Sequence, residues 1–598
     1  MALADDMIQR SLQTFLMLLI PGLLCACAGA PETVARPNII LIMTDDQGYG
    51  DLGFTGNPVV RTPNLDAMAS RSARMTTFYV SPVCAPTRAS LMTGRYNYRT
   101  RVVDTFVGRA MMEPDEVTIA EILREAGYRT GIFGKWHLGD AYPLRAVDQG
   151  FEEALVHRGG GIGQPSDPPG GESKYTDAIL FHNGEPVQTE GYITDVLFDE
   201  ALGWIEQQSE RGESFFAYIA TNAPHGPFDD VPDGLLAEYA AMNLENQQFP
   251  QDRGWPLPDE ANTDRRARIF AMITNIDDNV GRLFERLDAL GLTDNTIVVY
   301  LHDNGPNGRR YVAGMRGQKS EVYEGGIRSP LFVHWPARLA AGRTSDRVAA
   351  HIDVLPTLLD AAGVALPEGS DIDGRSFLPL LTGESTEWPD RNVVIQTHRG
   401  DVPVRYHHFM IRNQRWKLVH PSGFGRQSFD GAPVFELYDM QADPLESTDI
   451  AKQQPETVQD LLAAYDAWFD DVGNTRADNY LPPRIVVGTP SESPTVLTRQ
   501  DWRDGTWAPD SNGYWELEVA TSGTYDIDLR FPEIGAAGTV TLSVGEATYD
   551  AGLEAGSESH SFESVPLSVG PLRLQITLNL GGVSKGPWQA DVSLRPGG

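Results

Sequence analysis

From Asn38 to Thr44 the chain is apolar at almost every position, the pattern of a strand covered on both faces, and the run stops at Asp45 and Asp46. Similar short apolar runs recur at 130–133, 215–220, 296–301 and 331–335. They alternate with stretches of helical period at 64–75 and 265–290. This alternation predicts an α/β fold, a large and mostly parallel sheet sandwiched by helices, over about 36–390. In such sheets the polar residues just past the carboxyl ends of strands gather into the ligand crevice. Asp45 with Asp46, and Asp303 with Asn304, are the two most suggestive strand ends.

Near Arg391 the texture changes. Residues 407–419 read as short strands around a turn at Asn413, and 456–469 as a helix, which predicts a smaller α+β subdomain over 391–475. The Pro-, Asn-, Thr- and Ser-rich stretch 471–494 reads as a linker, assigned to 476–494. Alternating runs at 514–519, 524–531, 539–544 and 572–578, separated by Gly and Asn, predict an accessory β-sandwich over 495–598.

The amino terminus adds a location. Arg10 precedes an apolar run from Phe15 to Leu24 and small residues around Cys25 and Cys27, the layout of an export leader over 1–30. It is either a cleaved secretory signal or a lipoprotein signal with Cys27 lipidated, so the protein is expected to be periplasmic, outer-membrane-anchored or secreted. No later run reaches the eighteen or so apolar residues of a spanning helix. With two of the 3 cysteines in the leader, Cys84 is left alone, and no internal disulfide can form. A single thiol in an oxidising compartment is either a buried small hydrophobe or a group with a chemical task.

The formal charge of -34 argues against nucleic acid or an anionic membrane surface as the main partner. Asp45, Asp46, Asp303 and Asn304 together offer three carboxylates and an amide oxygen. That all-oxygen set suits Ca²⁺ or Mg²⁺ better than zinc.

The segment Cys84-Ala85-Pro86-Thr87-Arg88, continuing to Arg95, resembles the signature of the type I sulfatases of the alkaline phosphatase superfamily, in which this Cys is oxidised to formylglycine by a dedicated maturation enzyme. Four further segments resemble that family in the same order: Gly134 to Gly139 around Lys135 and His137; Pro224 to Pro227 around His225; Gly317 to Lys319; and Glu324 to Gly326. The resemblance spans about 38–469. It implies that Asp45, Asp46, Asp303 and Asn304 bind one Ca²⁺ beside residue 84, and that the aldehyde made from Cys84 is hydrated to a geminal diol. It further implies that Arg88 holds the formylglycine near the metal and that Lys135 and Lys319 neutralise the sulfate. In the implied mechanism the diol attacks sulfur while His225 with Lys319 protonates the departing alkoxide. His137 then deprotonates the remaining hydroxyl, so that sulfate is expelled and the aldehyde restored.

Within that family substrates range from aryl sulfates to sulfated sugars, and export favours a sulfated polysaccharide or its fragments, algal or of glycosaminoglycan type. Related formylglycine enzymes cleave phosphonate monoesters and phosphodiesters, and a non-catalytic glycan-binding protein on the same fold is the third reading. Asp501, Trp502 and Trp507 are either sugar-stacking positions or core of the sandwich. His157, Arg158, Arg309, Arg310 and His334 lie near motif loops and are named as leaving-group contacts on that ground alone.

Overall fold

The computed structural model describes residues 36–168, 173–477 and 480–596; the leader expected at 1–30 lies outside them. Ten strands form the main sheet: β1 (Asn38–Thr44), β2 (Ala73–Met75), β3 (Arg129–Lys135), β4 (Glu153–His157), β5 (Ile179–His182), β6 (Glu185–Gln188), β7 (Phe215–Ala220), β8 (Thr296–His302), β9 (Leu331–His334) and β10 (Thr344–Ser345). Their spatial order is β10-β2-β9-β8-β1-β7-β3-β4-β5-β6. The middle five, β8-β1-β7-β3-β4, are mutually parallel, whereas β9 joins β8, and β5 joins β4, in antiparallel sense.

Strand β1 lies at the centre because both of its faces are apolar. Ile39, Leu41 and Met43 enter one hydrophobic cluster and Ile40 and Ile42 the other, all fully buried. Helices α1 (Pro63–Arg71), α3 (Ile193–Arg211) and α4 (Thr263–Ala289) cover the second face, and α2 (Cys84–Thr93) with the helix Val354–Ala362 covers the first. Gly134 is obligatory in β3. Its φ is +122°, and a Cβ there would stand 1.9 Å from the carbonyl oxygen of Ala220 on the neighbouring strand.

The helix expected over 64–75 ends at Arg71. Ser72 turns extended (φ -95°, ψ 157°), and Ala73–Met75 becomes strand β2, paired with β9 and β10. The stretch 331–335 is a strand, as expected, but it runs against the parallel core.

Four antiparallel strands, Val393–Gln396, Phe409–Arg412, Trp416–His420 and Glu436–Asp439, form a second sheet backed by the helix Pro455–Gly473. Asn413 makes its turn, its side-chain oxygen accepting from the N–H groups of Arg415 and Trp416. Beyond it two sheets, of six and four strands, close on a shared apolar core. Ile485–Val487, within the stretch read as a linker, is a strand of this sandwich, paired in parallel with Tyr514–Val519. Met111, Ala141 and Leu144 from the main α/β unit join the sandwich core. Among the described residues no helix is long and apolar enough to cross a membrane.

Candidate active site

Four neighbouring strands deliver the site at their carboxyl ends. β1 runs into Asp45 and Asp46, β8 into Asp303 and Asn304, β3 ends on Lys135 just before His137, and β7 leads through Thr221 to His225. The register, with Thr44 beside His302 and Met43 beside Ala220, brings these ends level. Cys84 is the first residue of α2, 2% exposed, at a helix end whose free N–H groups favour negative charge.

The groups form one connected network. Arg88 reaches back under the cluster, donating from Nη2 to Asp303 Oδ2 at 2.7 Å and from Nη1 to the Lys135 carbonyl at 2.8 Å. Thr87 Oγ1 donates to the Asp303 carbonyl at 2.7 Å. Lys135 pairs with Asp45, and Lys319 pairs with Asp46. Cys84 Sγ lies 3.5 Å from both Asp45 Oδ1 and Lys319 Nζ. Asn304 Nδ2 donates to Asp46 Oδ1 at 2.9 Å, and His225 Nε2 stands 3.7 Å from Asp46 Oδ2. The nine sequence-selected residues Asp45, Asp46, Cys84, Arg88, Lys135, His225, Asp303, Asn304 and Lys319 thus form one cluster, and His137 borders the same cavity.

This geometry sets the electrostatics. Burial, reinforced by the Asp45 carboxylate, pushes the Cys84 thiol up to about 12. Burial alone would raise Asp46, but Lys319 and His225 outweigh it and hold that carboxyl below the usual range. Asp303 is raised to about 6 by burial and by Asp45. Burial would lower Lys319, yet the carboxylate of Asp46 keeps it protonated. His225 is lowered to about 4 and His137 further, chiefly by burial, so both rings are neutral near pH 7.

The tautomers follow from the acceptors. His137 Nε2 lies 2.8 Å from the Thr105 carbonyl, so it carries the proton and leaves Nδ1 with a free lone pair, buried and unpartnered among the described residues. By the same argument His225 Nδ1 donates to the Gly226 carbonyl at 2.7 Å, and Nε2 faces the cluster.

The donor chemistry fits a hard cation. Asp45, Asp46 and Cys84 place ligand atoms within 4.8 Å of one another, and Asp303 and Asn304 adjoin them, Asp303 Oδ1 accepting from the Asp46 N–H at 3.3 Å and Asn304 Nδ2 donating to Asp46 Oδ1. Asp46 Oδ2 and Asn304 Oδ1 are buried without a hydrogen-bond donor among the described residues, as oxygens committed to a cation would be.

Above the cluster opens a cavity of about 190 Å³ bordered by Cys84, His137, His225 and Lys319. Lys319 and His225 are 16% and 15% exposed while Asp45 and Lys135 are sealed, so the cluster is open on the Lys319 and His225 side. The other walls carry no motif: Thr105 and Phe106, Gln164, Arg399, Phe424, and Trp507 from the sandwich. Arg399 stacks over the Phe106 and Phe424 rings and pairs with the buried Asp104 at 2.8 Å. One signal for these walls was legible in the Gly-rich run at 159–163. A Cβ on Gly160 would meet His137 at 2.6 Å, and one on Gly161 would meet His225 at 3.1 Å.

Several open readings are decided by the structure. Trp502 is fully buried core, and Asp501 is buried beside the sandwich; of that trio only Trp507 reaches the cavity. His334 lies toward the opposite end of the sheet, where β9 pairs with Val298 and its ring meets Phe284 edge-on. Arg310 is structural, clamping Asp51 and the Asp46 carbonyl. Arg158 stacks on Phe181, His157 bonds the Arg158 carbonyl, and Arg309 bonds the Pro256 carbonyl. Glu324, in the last motif segment, is buried among Lys417, Arg328 and Tyr79, where it ties the four-stranded sheet to the short paired strands Phe78–Tyr79 and Arg328–Ser329.

The family model described as Sulfatase matches residues 37–364, and one described as N-sulphoglucosamine sulphohydrolase, C-terminal, matches 317–465. The mouse N-acetylgalactosamine-6-sulfatase is 32% identical over 406 residues, 62% of this chain and 71% of that protein. The N-acetylglucosamine-6-O-sulfatase of Bacteroides thetaiotaomicron is 28% identical over 585 residues, 83% of this chain and 95% of that protein. Among solved structures, Ps i-CgsB in complex with k-i-k-neocarrahexaose superposes with a TM-score of 0.62 at 27% identity, covering 75% of this chain and 95% of that one.

Proposed function

Since the chain belongs to the sulfatase family of sulfuric ester hydrolases, we propose that it is an exported enzyme that desulfates glycans of glycosaminoglycan or algal type, using a formylglycine made from Cys84 by a maturation enzyme of the host. The observation that carries this reading is the junction of Cys84, the Asp45, Asp46, Asp303 and Asn304 oxygens and two lysines beneath one cavity. A thiol pushed up to about 12 is almost wholly protonated near neutrality and a poor nucleophile, which favours conversion over direct use of the sulfur.

Asp45, Asp46, Asp303 and Asn304 would hold Ca²⁺, which when bound polarises sulfate oxygens and lowers the pKa of a neighbouring hydroxyl. Hydrated formylglycine at position 84 would supply the oxygen nucleophile. Arg88 fixes Asp303 from below by a buried bidentate-capable guanidinium and so holds the cluster's floor rigid. Lys135 and Lys319 offset charge on the sulfate from two sides. Lys319, kept protonated, stands on the open side of the cavity, where the leaving oxygen would lie, and supplies its proton, while the neutral His225 beside it, with Nε2 unprotonated, would relay a proton back to Lys319. His137, neutral, with Nδ1 unpartnered among the described residues and bordering the same cavity as Cys84, would take a proton from the residue 84 side chain.

The relatives' names support sulfated amino sugars and carrageenan fragments as the compounds to try first. The test is sulfate release from chondroitin, heparin and carrageenan oligosaccharides by matured protein, beside matched aryl sulfate and aryl phosphonate esters. Release from a glycan with aryl sulfate preferred over phosphonate is expected. Preference for the phosphonate would replace the proposal with the phosphonate hydrolase reading, and glycan binding without release would replace it with the binding-protein reading. The sandwich is proposed as an accessory unit that completes the site wall through Trp507.

A further inference from the structure

The catalytic cavity continues past Trp507. Gln164 and Trp507 border both it and a second, larger groove of about 510 Å³. One wall of this groove comes from the α/β unit, through Gln164, Pro165 and neighbouring residues. The other comes from the sandwich, through Trp507, Pro509, Pro532, Lys585 and Trp588. The sandwich lies outside both matched family regions, which end at residue 465.

Three features of the groove point to one kind of occupant. Trp588 is 47% exposed and offers a flat apolar face at the groove, with Pro509 and Pro532 beside it. At the junction with the catalytic cavity, Trp507 Nε1 and Gln164 Oε1 are buried without hydrogen-bond partners among the described residues. One is a donor and the other an acceptor, and sugar hydroxyls offer the complement of each. The charge is cationic. Arg499 spends its guanidinium on the carbonyls of Pro587, Ala508 and Gly586, and among the described residues neither it nor Lys585 has a carboxylate within ion-pair distance. Against these two cations stand Asp167, which lines the groove and accepts from the Gly163 N–H, and Asp510, whose charge reaches Arg499 from outside the lining. An aromatic and proline-walled groove whose described lining carries two cations and one carboxylate, in a chain of charge -34, is suited to an anionic sugar chain.

We propose that this groove is a second glycan subsite, occupied by the anionic sugars that flank the unit held over Cys84, so that the enzyme acts on sulfated oligosaccharide in preference to isolated sulfated sugars. The proposal rests on the sulfatase reading for the position of the reacting sugar, but the groove is testable by binding alone.

The experiment is calorimetric titration of the full chain, Trp588→Ala and Lys585→Gln with chondroitin-6-sulfate and carrageenan hexasaccharides. The same proteins are then assayed on a hexasaccharide and on 4-nitrophenyl sulfate. At least one hexasaccharide is expected to bind, with Kd raised about tenfold in Trp588→Ala, the loss typical of an aromatic anchor. Lys585→Gln should raise Kd less and flatten its salt dependence. The ratio of kcat/KM for hexasaccharide to that for the aryl ester should fall in parallel. Kd within twofold of wild type in both variants, or no binding of either hexasaccharide, would overturn the subsite. Unaltered binding with sulfate still released would sink the groove and leave the sulfatase reading standing; weakened binding without any sulfate release would do the reverse.

Discussion

Gln500 and His137 meet on one carbonyl: that of Thr105, which lies 3.0 Å from Gln500 Nε2 and 2.8 Å from His137 Nε2. A residue of the sandwich region thereby helps hold the backbone that fixes the tautomer of a candidate catalytic histidine. Replacing Gln500 by Leu removes one hydrogen bond, worth about 0.5–1.5 kcal/mol. The expected result is a several-fold fall in kcat with KM for a small aryl sulfate nearly unchanged. Steady-state kinetics check it.

The Arg88–Asp303 pair is buried on both sides, 1% and 0% exposed. Removing one partner strands the other charge, so Arg88→Ala should destabilise the fold by about 3–5 kcal/mol. Arg88→Lys should recover part of that stability and little activity, since an ammonium cannot bond Asp303 and the Lys135 carbonyl in one plane. Urea unfolding with an activity assay separates the two effects.

Ca²⁺ binding to the folded protein alone should stabilise it by mass action, by about 2.7 kcal/mol at 100 times Kd. Asp46→Asn, nearly isosteric, should abolish that gain, and chelation should inactivate the wild type. Thermal unfolding with and without Ca²⁺ measures this, and an equal shift in the variant would remove Asp46 from the ligand set.

Glu446 gives a pH signature distant from the chemistry. Burial, and the charge of Glu324 sharing Lys417, push it up to about 7 from 4.5. Its folded pKa exceeds the unfolded one, so the folded state binds the proton more tightly. The associated stability is full below about 4.5 and is lost as pH rises through about 7. Glu446→Gln, which mimics the protonated form, should become more stable relative to wild type as pH goes from 5 to 8. Unfolding curves across that range test the sign.

The floor of the site was legible because it is local. Asp45, Asp46, Asp303 and Asn304 each follow an apolar run, and Cys84, Arg88, Lys135 and His225 sit in short motifs. The walls were not. Phe106, Arg399, Phe424 and Trp507 come from segments scattered over 400 residues and meet only through tertiary packing, which leaves no periodic trace. The same blindness misplaced Ala73–Met75, whose strand character depends on β9 and β10, more than 250 residues away. It also hid Ile485–Val487 in a Pro-rich stretch, where a strand is specified by Leu517 and its neighbours rather than by local composition.

The most direct test of the central claim is the mass of the tryptic fragment 75–88, taken from protein co-expressed with a maturation enzyme and from protein made without one, beside sulfate release by each. The account predicts a fragment about 18 Da lighter, the difference between a thiol and an aldehyde side chain at Cys84, with sulfate release rising in proportion to its fraction and none from Cys84→Ser left unmatured. Full activity from protein whose Cys84 remains an intact thiol would contradict it.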